Sequence, residues 1–384
     1  MTWNAEGVTT SASTPDIKIP ADLLPNDGRF GSGPSRVRAE AMSALAQAGT
    51  SYMGTSHRKA PVKAMVERLQ VGLSSLFSLP DGYEVILGNG GTTVLWDALC
   101  FGMIRRRSQH LSFGEFSSKF AKAASTTPFL DKASVISSDP GTHPMPEIDT
   151  DIDFYALTHN ETSTGVHMPI ARVANGDSLV GVDATSAAGC IGVAASEFDL
   201  YYFAPQKCLA SDGGLWIALA SPAAIARIEE IKESGRWIPA SIDLGIALEN
   251  SRLHQTYNTP ALATIFLAVQ QVEWMLDQGG MSWTTAQCQK TSGIVYDWAS
   301  ASQFATPFVA KPDERSPVTC VLDIDDAISA DTVISVLRKN GIVDTDGYRK
   351  LGRNQLRVAT FPATPTEDVE ALTKCIDFVV EKMN

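Results

Sequence analysis

The sequence lacks several patterns that mark whole classes of protein. No stretch of the chain stays apolar for the roughly 18 residues that a transmembrane helix needs. The segment MTWNAEGVTTSASTPDIKIP has no basic start followed by an apolar core, so we expect no secretory signal and a cytoplasmic location. Basic residues are in the minority, 31 Lys and Arg against 43 Asp and Glu, and the net charge of -12 argues against a nucleic-acid partner.

Cysteine and histidine are scarce and widely spaced. The six cysteines form no Cys-x-x-Cys pair, and the six histidines form no His-x-x-x-His pair. The cysteines are Cys100, Cys190, Cys208, Cys288, Cys320 and Cys375. Because these spacings do not match a zinc site, we expect no metal centre. Cysteines this far apart are typical of free thiols in a reducing compartment rather than of a disulfide framework.

The chain does contain a regular alternation of helical and strand-like segments. Residues 1–29 are rich in Thr, Ser, Pro and Asn, and they predict an extended arm. Beyond the arm, helical stretches such as Val62–Phe77 alternate with short apolar runs. The runs that predict strands here are Glu84–Leu87, Phe154–Thr158, Leu179–Val182, Leu200–Phe203 and Trp216–Ala220. This alternation indicates an α/β fold, a mainly parallel sheet with helices on both faces.

A second region follows Asn258-Thr259-Pro260. A helical pattern over 261–278 leads to two strand-like runs, Val318–Asp325 and Leu356–Phe361, with helices near 330–340 and from Thr366. We therefore predict a large domain over residues 30–260 and a smaller C-terminal α/β domain over 261–384, with a cleft between them.

The segment EVILGNGGTTVLWDAL joins an apolar strand to a helix through a glycine-rich turn. Free amides at the helix start, where Gly91, Thr92 and Thr93 lie, can bind an anion, and the glycines let it come close. No Lys follows the glycines and no complete G-x-G-x-x-G is present, which excludes a Walker loop and a dinucleotide fingerprint. A single phosphate fits better, although such turns are common in α/β proteins and this one alone identifies no ligand.

Two ionisable residues stand at the ends of predicted apolar strands. Asp183 ends SLVGVD, where a carboxylate loses hydration unless a cation or hydrogen-bond donors meet it. Capping of the following turn would explain this acid equally well. Lys207 follows DLYYFAPQ, and an amine in an apolar setting has a lowered pKa and can attack an aldehyde or ketone. Taken singly, a loop lysine is more often simply solvated.

The combination is more specific than its parts. A phosphate cradle, a buried acid and a desolvated amine at successive strand ends are the three anchors that pyridoxal phosphate needs. They meet its phosphate, its pyridine nitrogen and its aldehyde. The sequence therefore predicts a pyridoxal-phosphate site.

With these motifs the sequence resembles the phosphoserine aminotransferases, a family in the class V group of fold-type I pyridoxal-phosphate enzymes. The resemblance runs from about Arg29 to the C-terminus and rests on RFGSGPSRV, GTSHRK, GNGGTT, HNETSTG, VDATSAAG, FAPQKCLAS, YNTP and LRVATF, in family order. It implies transfer of an amino group between glutamate and 3-phosphohydroxypyruvate, giving phosphoserine for serine biosynthesis. It leaves open whether precursors of pyridoxine biosynthesis are also used.

The resemblance also implies roles for individual cofactor-binding residues. Lys207 would bind the cofactor covalently, Asp183 would pair with its pyridine nitrogen, and Thr162 would bond its ring hydroxyl. The residues expected around the cofactor phosphate are Gly91, Thr92, Thr93 and Gln206, joined by Asn258 and Thr259 from a neighbouring subunit. This arrangement implies a homodimer with shared active sites. Phe116, in GEFSSKF, stands where the family commonly has a tryptophan stacked on the cofactor ring, so an aromatic platform is kept.

Four further residues resemble substrate contacts of the family. His57 and Arg58 match the pair that binds the substrate phosphate, and Ser32, in GSGP, matches a further contact. Arg357 matches the arginine that grips the α-carboxylate through two hydrogen bonds. These matches imply that the enzyme reads both ends of its substrate.

The chain departs from the family pattern ahead of the carboxylate arginine. The family's His-Arg pair is not matched there, and Tyr348-Arg349 precedes Arg357 by a longer interval. Arg349 or Arg353 is the candidate to replace it. One part of the substrate-phosphate site is therefore not predicted by the resemblance.

Other functions are compatible with parts of the pattern. A small-keto-acid aminotransferase or a cysteine desulfurase would share the cofactor. No cysteine lies in a Gly/Ser-rich loop near the C-terminus, which counts against a desulfurase. A non-catalytic binding protein on the same fold would be expected to lose Lys207 or Arg357, and both are present.

Overall fold

The structure, a computed structural model, describes residues 15–173 and 176–383. Within these ranges the α-helices are α1 (Ala39–Tyr52), α2 (Ala60–Leu76), α3 (Thr92–Gly102), α4 (Glu115–Thr126), α5 (Pro222–Glu233), α6 (Leu244–Arg252), α7 (Leu262–Gln278), α8 (Gly280–Ala301), α9 (Ala330–Lys339) and α10 (Thr366–Met383). The strands are β1 (Glu84–Gly90), β2 (Ser108–Ser112), β3 (Ser134–Ser137), β4 (Phe154–Thr158), β5 (Asn160–Glu161), β6 (Val166–His167), β7 (Leu179–Asp183), β8 (Leu200–Phe203), β9 (Gly214–Ala220), β10 (Ala305–Pro307), β11 (Thr319–Ile324) and β12 (Gln355–Ala359).

The largest element is a seven-stranded sheet in the order β1-β9-β8-β7-β4-β2-β3. β9 runs antiparallel to both of its neighbours, and every other pair is parallel. Because β1 and β8 both oppose β9, they run the same way as β7 and β4. The carboxyl ends of these four strands therefore lie along one edge of the sheet, which is where α/β proteins bind their ligands.

Side chains alternate between two cores on opposite faces of this sheet. In β1, Val85 and Leu87 enter one core while Ile86 enters the other. In β4, Tyr155 and Leu157 face the first core and Phe154 the second. Since both faces are covered, the central strands read as continuous apolar runs, and the fold is confirmed as α/β with a mostly parallel sheet.

A second, antiparallel sheet of β10, β11 and β12 packs with α8, α9 and α10 around a third core. Ile19 and Phe30 are buried in that core, so the part of the predicted arm from residue 15 onward lies against the C-terminal unit. The first 14 residues of the arm lie outside the described residues. Helix α7 contributes Ile265 and Val272 to the first core of the large sheet. The domain boundary near residue 260 stays a prediction.

The expectation of six free thiols was wrong for one pair, because Cys190 and Cys208 form a disulfide. The loops after β7 and β8 are neighbours along the sheet edge and bring the two Cα atoms to 6.3 Å, a separation that a disulfide can span. The other four cysteines are buried free thiols.

Candidate active site

A cavity of about 370 Å³ opens at the carboxyl edge of the large sheet. Its size falls in the range of small-molecule sites, roughly 300–1,000 Å³. Eight of the predicted site residues line it together: Gly91, Thr92, Thr93, Phe116, Thr162, Asp183, Gln206 and Lys207. The motifs that are far apart in the chain thus meet in one place.

The glycine-rich turn forms one end of the cavity. Gly90 has φ of 114°, a conformation that side chains other than glycine rarely adopt, and it turns the chain from β1 into α3. Gly91 is the N-cap of α3 and has no side chain to cap the helix. The amides at the helix start, at Thr92 and Thr93, therefore have no side-chain cap from Gly91, and their predicted binding of an anion stays a prediction.

Asp183 ends β7 and is 6% exposed. Its Oδ2 accepts a hydrogen bond from Nε1 of Trp96 at 3.0 Å, and its Oδ1 accepts from the amide and hydroxyl of Thr185 at 3.0 and 2.6 Å. Burial raises the pKa of this carboxyl, and the bonds from Thr185 and Trp96 oppose the rise. The acid caps its turn and also lines the cavity, and its pairing with a cationic ligand stays a prediction. A cation beside it would relieve its desolvation.

Lys207 follows β8, and its Nζ donates a hydrogen bond to the carbonyl of Ser32. The pKa of Lys207 is lowered from 10.5 to about 8, mainly by burial and also by the charge of Arg357, while the carboxylates of Asp183 and Glu161 oppose the shift. Gly33 borders the amine so closely that a Cβ there would collide with Nζ. The amine is thus poised for nucleophilic attack near neutral pH.

Buried polar atoms at the site remain unpaired among the described residues. They are Oε1 of Gln206, Oδ1 of Asn160, Oγ of Ser32 and Nε of Arg357. Gln206 and Asn160 line the cavity itself. Buried polar groups are normally hydrogen-bonded, so these atoms are available to a ligand. The open helix start, the buried acid, the amine and these unpaired atoms fit pyridoxal phosphate.

Helix α4, which contributes Phe116 to the cavity lining, meets the C-terminal unit beside the cavity. Phe116 lies on the first turn of α4, and its ring centroid is 6.1 Å from that of Tyr348. Nη1 of Arg357 donates to the carbonyl of Thr162 at 3.2 Å, and its guanidinium lies 5.5 Å from the Tyr348 ring. Oγ1 of Thr162 donates to Ser186 at 2.7 Å. The predicted ring platform and carboxylate arginine therefore approach the cavity from opposite units.

Of the seven predicted site residues that do not line this cavity, four, in the segments 57–58 and 258–259, lie together. Nδ1 of His57 is 3.3 Å from Oγ1 of Thr259, and Asn89 donates to the carbonyl of Asn258 at 3.0 Å. Nη1 of Arg58 donates to Gln255 at 3.2 Å. The predicted substrate-phosphate pair and the pair expected to reach a neighbouring subunit thus form one surface cluster.

The candidates for the missing His-Arg pair do not reach the cavity. Arg353 makes a two-pronged ion pair with Asp323, at 3.0 and 2.7 Å. Arg349 is exposed and does not line the cavity. A substrate-binding role for Arg349 stays a prediction.

Some cavity residues were missed at the sequence level. Trp96 lies one turn after Thr92 on α3, and a helix places such residues on one face. Asn160 and Thr185 belong to the quoted motifs HNETSTG and VDATSAAG. The helical spacing and the motifs could have pointed to these three residues. The hydrogen bonds that they make cannot be read from the sequence.

No described helix is long and apolar enough to cross a membrane. Among residues 15–173 and 176–383, no group of three or more His, Cys, Asp or Glu could hold a metal ion.

Comparison with known proteins identifies relatives of the chain. The family model "Aminotransferase class-V" matches residues 142–372. A phosphoserine aminotransferase of Rhodococcus jostii (strain RHA1) is 55% identical over 366 residues, covering 95% of this chain and 98% of the relative. A putative phosphoserine aminotransferase of Mycobacterium avium (strain 104) is 55% identical over 368 residues, covering 96% and 98%.

Solved structures share the fold. A phosphoserine aminotransferase from Cytophaga hutchinsonii superposes with a TM-score of 0.86 at 24% identity, covering 94% of this chain and 100% of the other. One from Bacillus circulans subsp. alkalophilus gives 0.80 at 21% identity, covering 94% and 99%. These likenesses show the fold-type I architecture. Relatives that share more than half of their residues over nearly all of both chains show, with the family match, that the chain belongs to the phosphoserine aminotransferases of class V.

Proposed function

We propose that the protein uses pyridoxal phosphate to transfer an amino group between glutamate and 3-phosphohydroxypyruvate, giving phosphoserine and 2-oxoglutarate. The observation that carries the proposal is one cavity shared by Lys207, the buried Asp183 and the open start of α3. The names of the relatives support this choice of substrate. We also propose a cytoplasmic location, which the four buried free thiols support and the Cys190–Cys208 disulfide does not.

When bound, pyridoxal phosphate supplies an electron sink for negative charge at the substrate Cα. Lys207 is placed to move the proton at that carbon. A pKa of about 8 leaves roughly one amine in ten unprotonated at pH 7, against roughly one in three thousand at 10.5. Asp183 would hold a proton on the pyridine nitrogen of the bound cofactor, because a buried carboxylate favours a cation beside it.

Arg357 binds the α-carboxylate of either substrate in this proposal. Its guanidinium is charged at any ordinary pH, and its buried Nε has no partner among the described residues. Nη1 is held by the carbonyl of Thr162 at 3.2 Å, so the group is already directed at the cavity wall. A carboxylate meeting it gains paired, charge-assisted hydrogen bonds.

We propose that the active form is a homodimer with shared sites. His57, Arg58, Asn258 and Thr259 form one cluster that does not line the cavity of their own subunit. Exposed apolar side chains flank the cluster in the chain: Met53 is 42%, Leu253 56% and Tyr257 48% exposed. Such a surface supports an interface, from which the cluster would complete the neighbour's site.

The cofactor assignment is tested on the purified protein. Borohydride reduction should fix the cofactor to Lys207, as mapped on peptides, and Lys207→Ala should lose the adduct. Adding glutamate should change the visible absorption of the wild type. An adduct on another lysine, or no colour change with glutamate, would contradict the proposal.

The shared-site proposal is tested by mixing two inactive variants, Lys207→Ala and Thr259→Ala. In a hybrid dimer one site has both defects and the other has neither. Random exchange of subunits should therefore restore up to about a quarter of wild-type activity. Unmixed variants are the controls. Full activity in a stable monomer, or no recovery after proven exchange, would refute shared sites.

A further inference from the structure

Glu161 is a fully buried carboxylate, 0% exposed, between the cavity residues Asn160 and Thr162. Its Oε2 accepts from the amide and the hydroxyl of Ser117, both at 2.9 Å. Its Oε1 accepts from the hydroxyl of Ser163 at 2.7 Å, the amide of Ser163 at 3.2 Å and the amide of Phe116 at 3.4 Å. All five donors are neutral amides or hydroxyls, and two of them are the second and third amides of α4.

These contacts make Glu161 the cap of α4. The N-cap position of this helix is Gly114, which has no side chain to accept the free amides. A carboxylate supplied by β5 takes over that role, and its charge faces the positive end of the helix dipole. Gly114 is needed for room, because a Cβ there would collide with Cγ and Cδ of Glu161. The glycine at position 114 thus leaves the space that the Glu161 side chain needs to cap the helix.

The capped turn is the one that carries Phe116. Ser163 accepts from the amide of Glu115 at 3.0 Å, and Ser117 accepts from the amides of Phe113 and Gly114 at 3.1 Å each. The amides of residues 113–117 are thus fixed around the Glu161 carboxylate. Phe116 projects from this fixed turn into the cavity wall.

We propose that Glu161 is a positioning residue that holds the first turn of α4, and through it Phe116, against the cofactor ring. The proposal rests on the proposed function only in naming the cofactor. The charge of Glu161 also acts on Lys207, opposing the lowering of its pKa by burial. Glu161 touches neither substrate nor cofactor in this scheme, so, apart from its charge acting on Lys207, its effect on the position of the cofactor ring passes through Phe116.

The first test measures amide hydrogen exchange in the cofactor-free protein. Glu161→Gln keeps the length of the side chain but loses the charge and replaces one acceptor by an amide donor. The amides of Phe116 and Ser117 should exchange at least about tenfold faster, because they lose a charged acceptor. Glu115→Gln is the matched control on the same turn, since its carboxylate pairs with Lys119 and Lys350 rather than with the amides of Phe116 and Ser117, and it should leave this exchange unchanged. Unchanged exchange in Glu161→Gln would overturn the proposal.

The second test is a double-mutant cycle with the dissociation constant of pyridoxal phosphate as readout. Glu161→Gln should raise that constant at least about tenfold in the wild-type background and less than about twofold in the Phe116→Ala background. Equal effects in both backgrounds would overturn the proposal, because the carboxylate would then not act through Phe116. If Glu161→Gln fails to fold, Ser117→Ala removes one hydroxyl donor to the carboxylate and enters the same cycle. Failure of the wild type to bind the cofactor would refute the proposed function, whereas the exchange test would still decide the cap.

Discussion

Replacing Arg58 by alanine tests whether this enzyme reads the phosphate of its substrate. Arg58 is exposed in the single chain and uses one of its five N–H donors on Gln255, at 3.2 Å. A charge-assisted hydrogen bond to phosphate is worth about 1.5–3 kcal/mol, or about tenfold to 150-fold in rate. If the guanidinium stays exposed, solvent screening should keep the effect near about tenfold. If a second subunit covers it, the effect should approach about 150-fold.

The assay compares kcat/KM for 3-phosphohydroxypyruvate and for hydroxypyruvate. Wild type should prefer the phosphorylated substrate strongly, and Arg58→Ala should reduce that preference by about tenfold or more while affecting the half-reaction with glutamate less. Lys59→Ala is the matched control, since it removes the same charge one residue away. An unchanged preference in Arg58→Ala would refute phosphate reading by this arginine. A wild type that uses both keto acids equally would favour a general class V aminotransferase instead.

Three further outcomes follow from the site. Gly33→Ala should slow covalent capture of pyridoxal phosphate at least about tenfold, because its Cβ would displace Nζ of Lys207 and its φ of 139° disfavours a side chain. In cofactor-free protein the capture rate should rise with pH through about 8, and Arg357→Gln should move that midpoint upward, since it removes a charge that lowers the pKa of Lys207. Denatured protein should show four reactive thiols before reduction and six after, because Cys190 and Cys208 are paired.

Each of these outcomes has its own control. Gly49→Ala adds a methyl group where nothing lies within 4 Å, so it should leave cofactor capture unchanged. A midpoint that stays in place in Arg357→Gln would contradict the electrostatic link between that arginine and Lys207. Six reactive thiols without reductant would show that the disulfide does not form in solution.

The strands that sequence predicted best are those buried on both faces. Phe154–Thr158 and Leu200–Phe203 were predicted with the bounds that the structure has, because continuous apolar runs mark central strands. Strand β2 was missed, since it reads SQHLS and its polar side chains are buried through hydrogen bonds. Ser108 contacts Nε2 of His110 at 2.9 Å, and Gln109 donates to the carbonyl of Glu147 at 2.9 Å. Polar side chains that are buried because other parts of the fold form hydrogen bonds to them leave no apolar periodicity in the sequence.

The residues of the candidate site also fall into those that the sequence predicts and those that it does not. Residues at strand ends, such as Asp183 and Lys207, were predictable because burial and local motifs already give their chemistry. Trp96 was not, because its role depends on a hydrogen bond to a residue 87 positions away. Glu161 was quoted within a motif, yet its function as a helix cap exists only because α4 begins beside β5. Long-range contacts, rather than residue types, separate what sequence predicts from what it misses.

The segment ahead of Arg357, where the chain departs from the family pattern, shows that long-range contacts cannot be read from the sequence. It also bears on the Arg58→Ala assay. The sequence shows how many arginines this loop contains. It does not show which acceptors their N–H groups bind. Arg353 is held by Asp323, and Arg349 is exposed and does not line the cavity. Of the three arginines between positions 349 and 357, Arg357 alone contacts a residue that lines the cavity, and the proposed role of its guanidinium is the α-carboxylate. We therefore expect Arg58 to supply the main charge that binds the substrate phosphate, whereas a contribution from Arg349 in this loop stays a prediction.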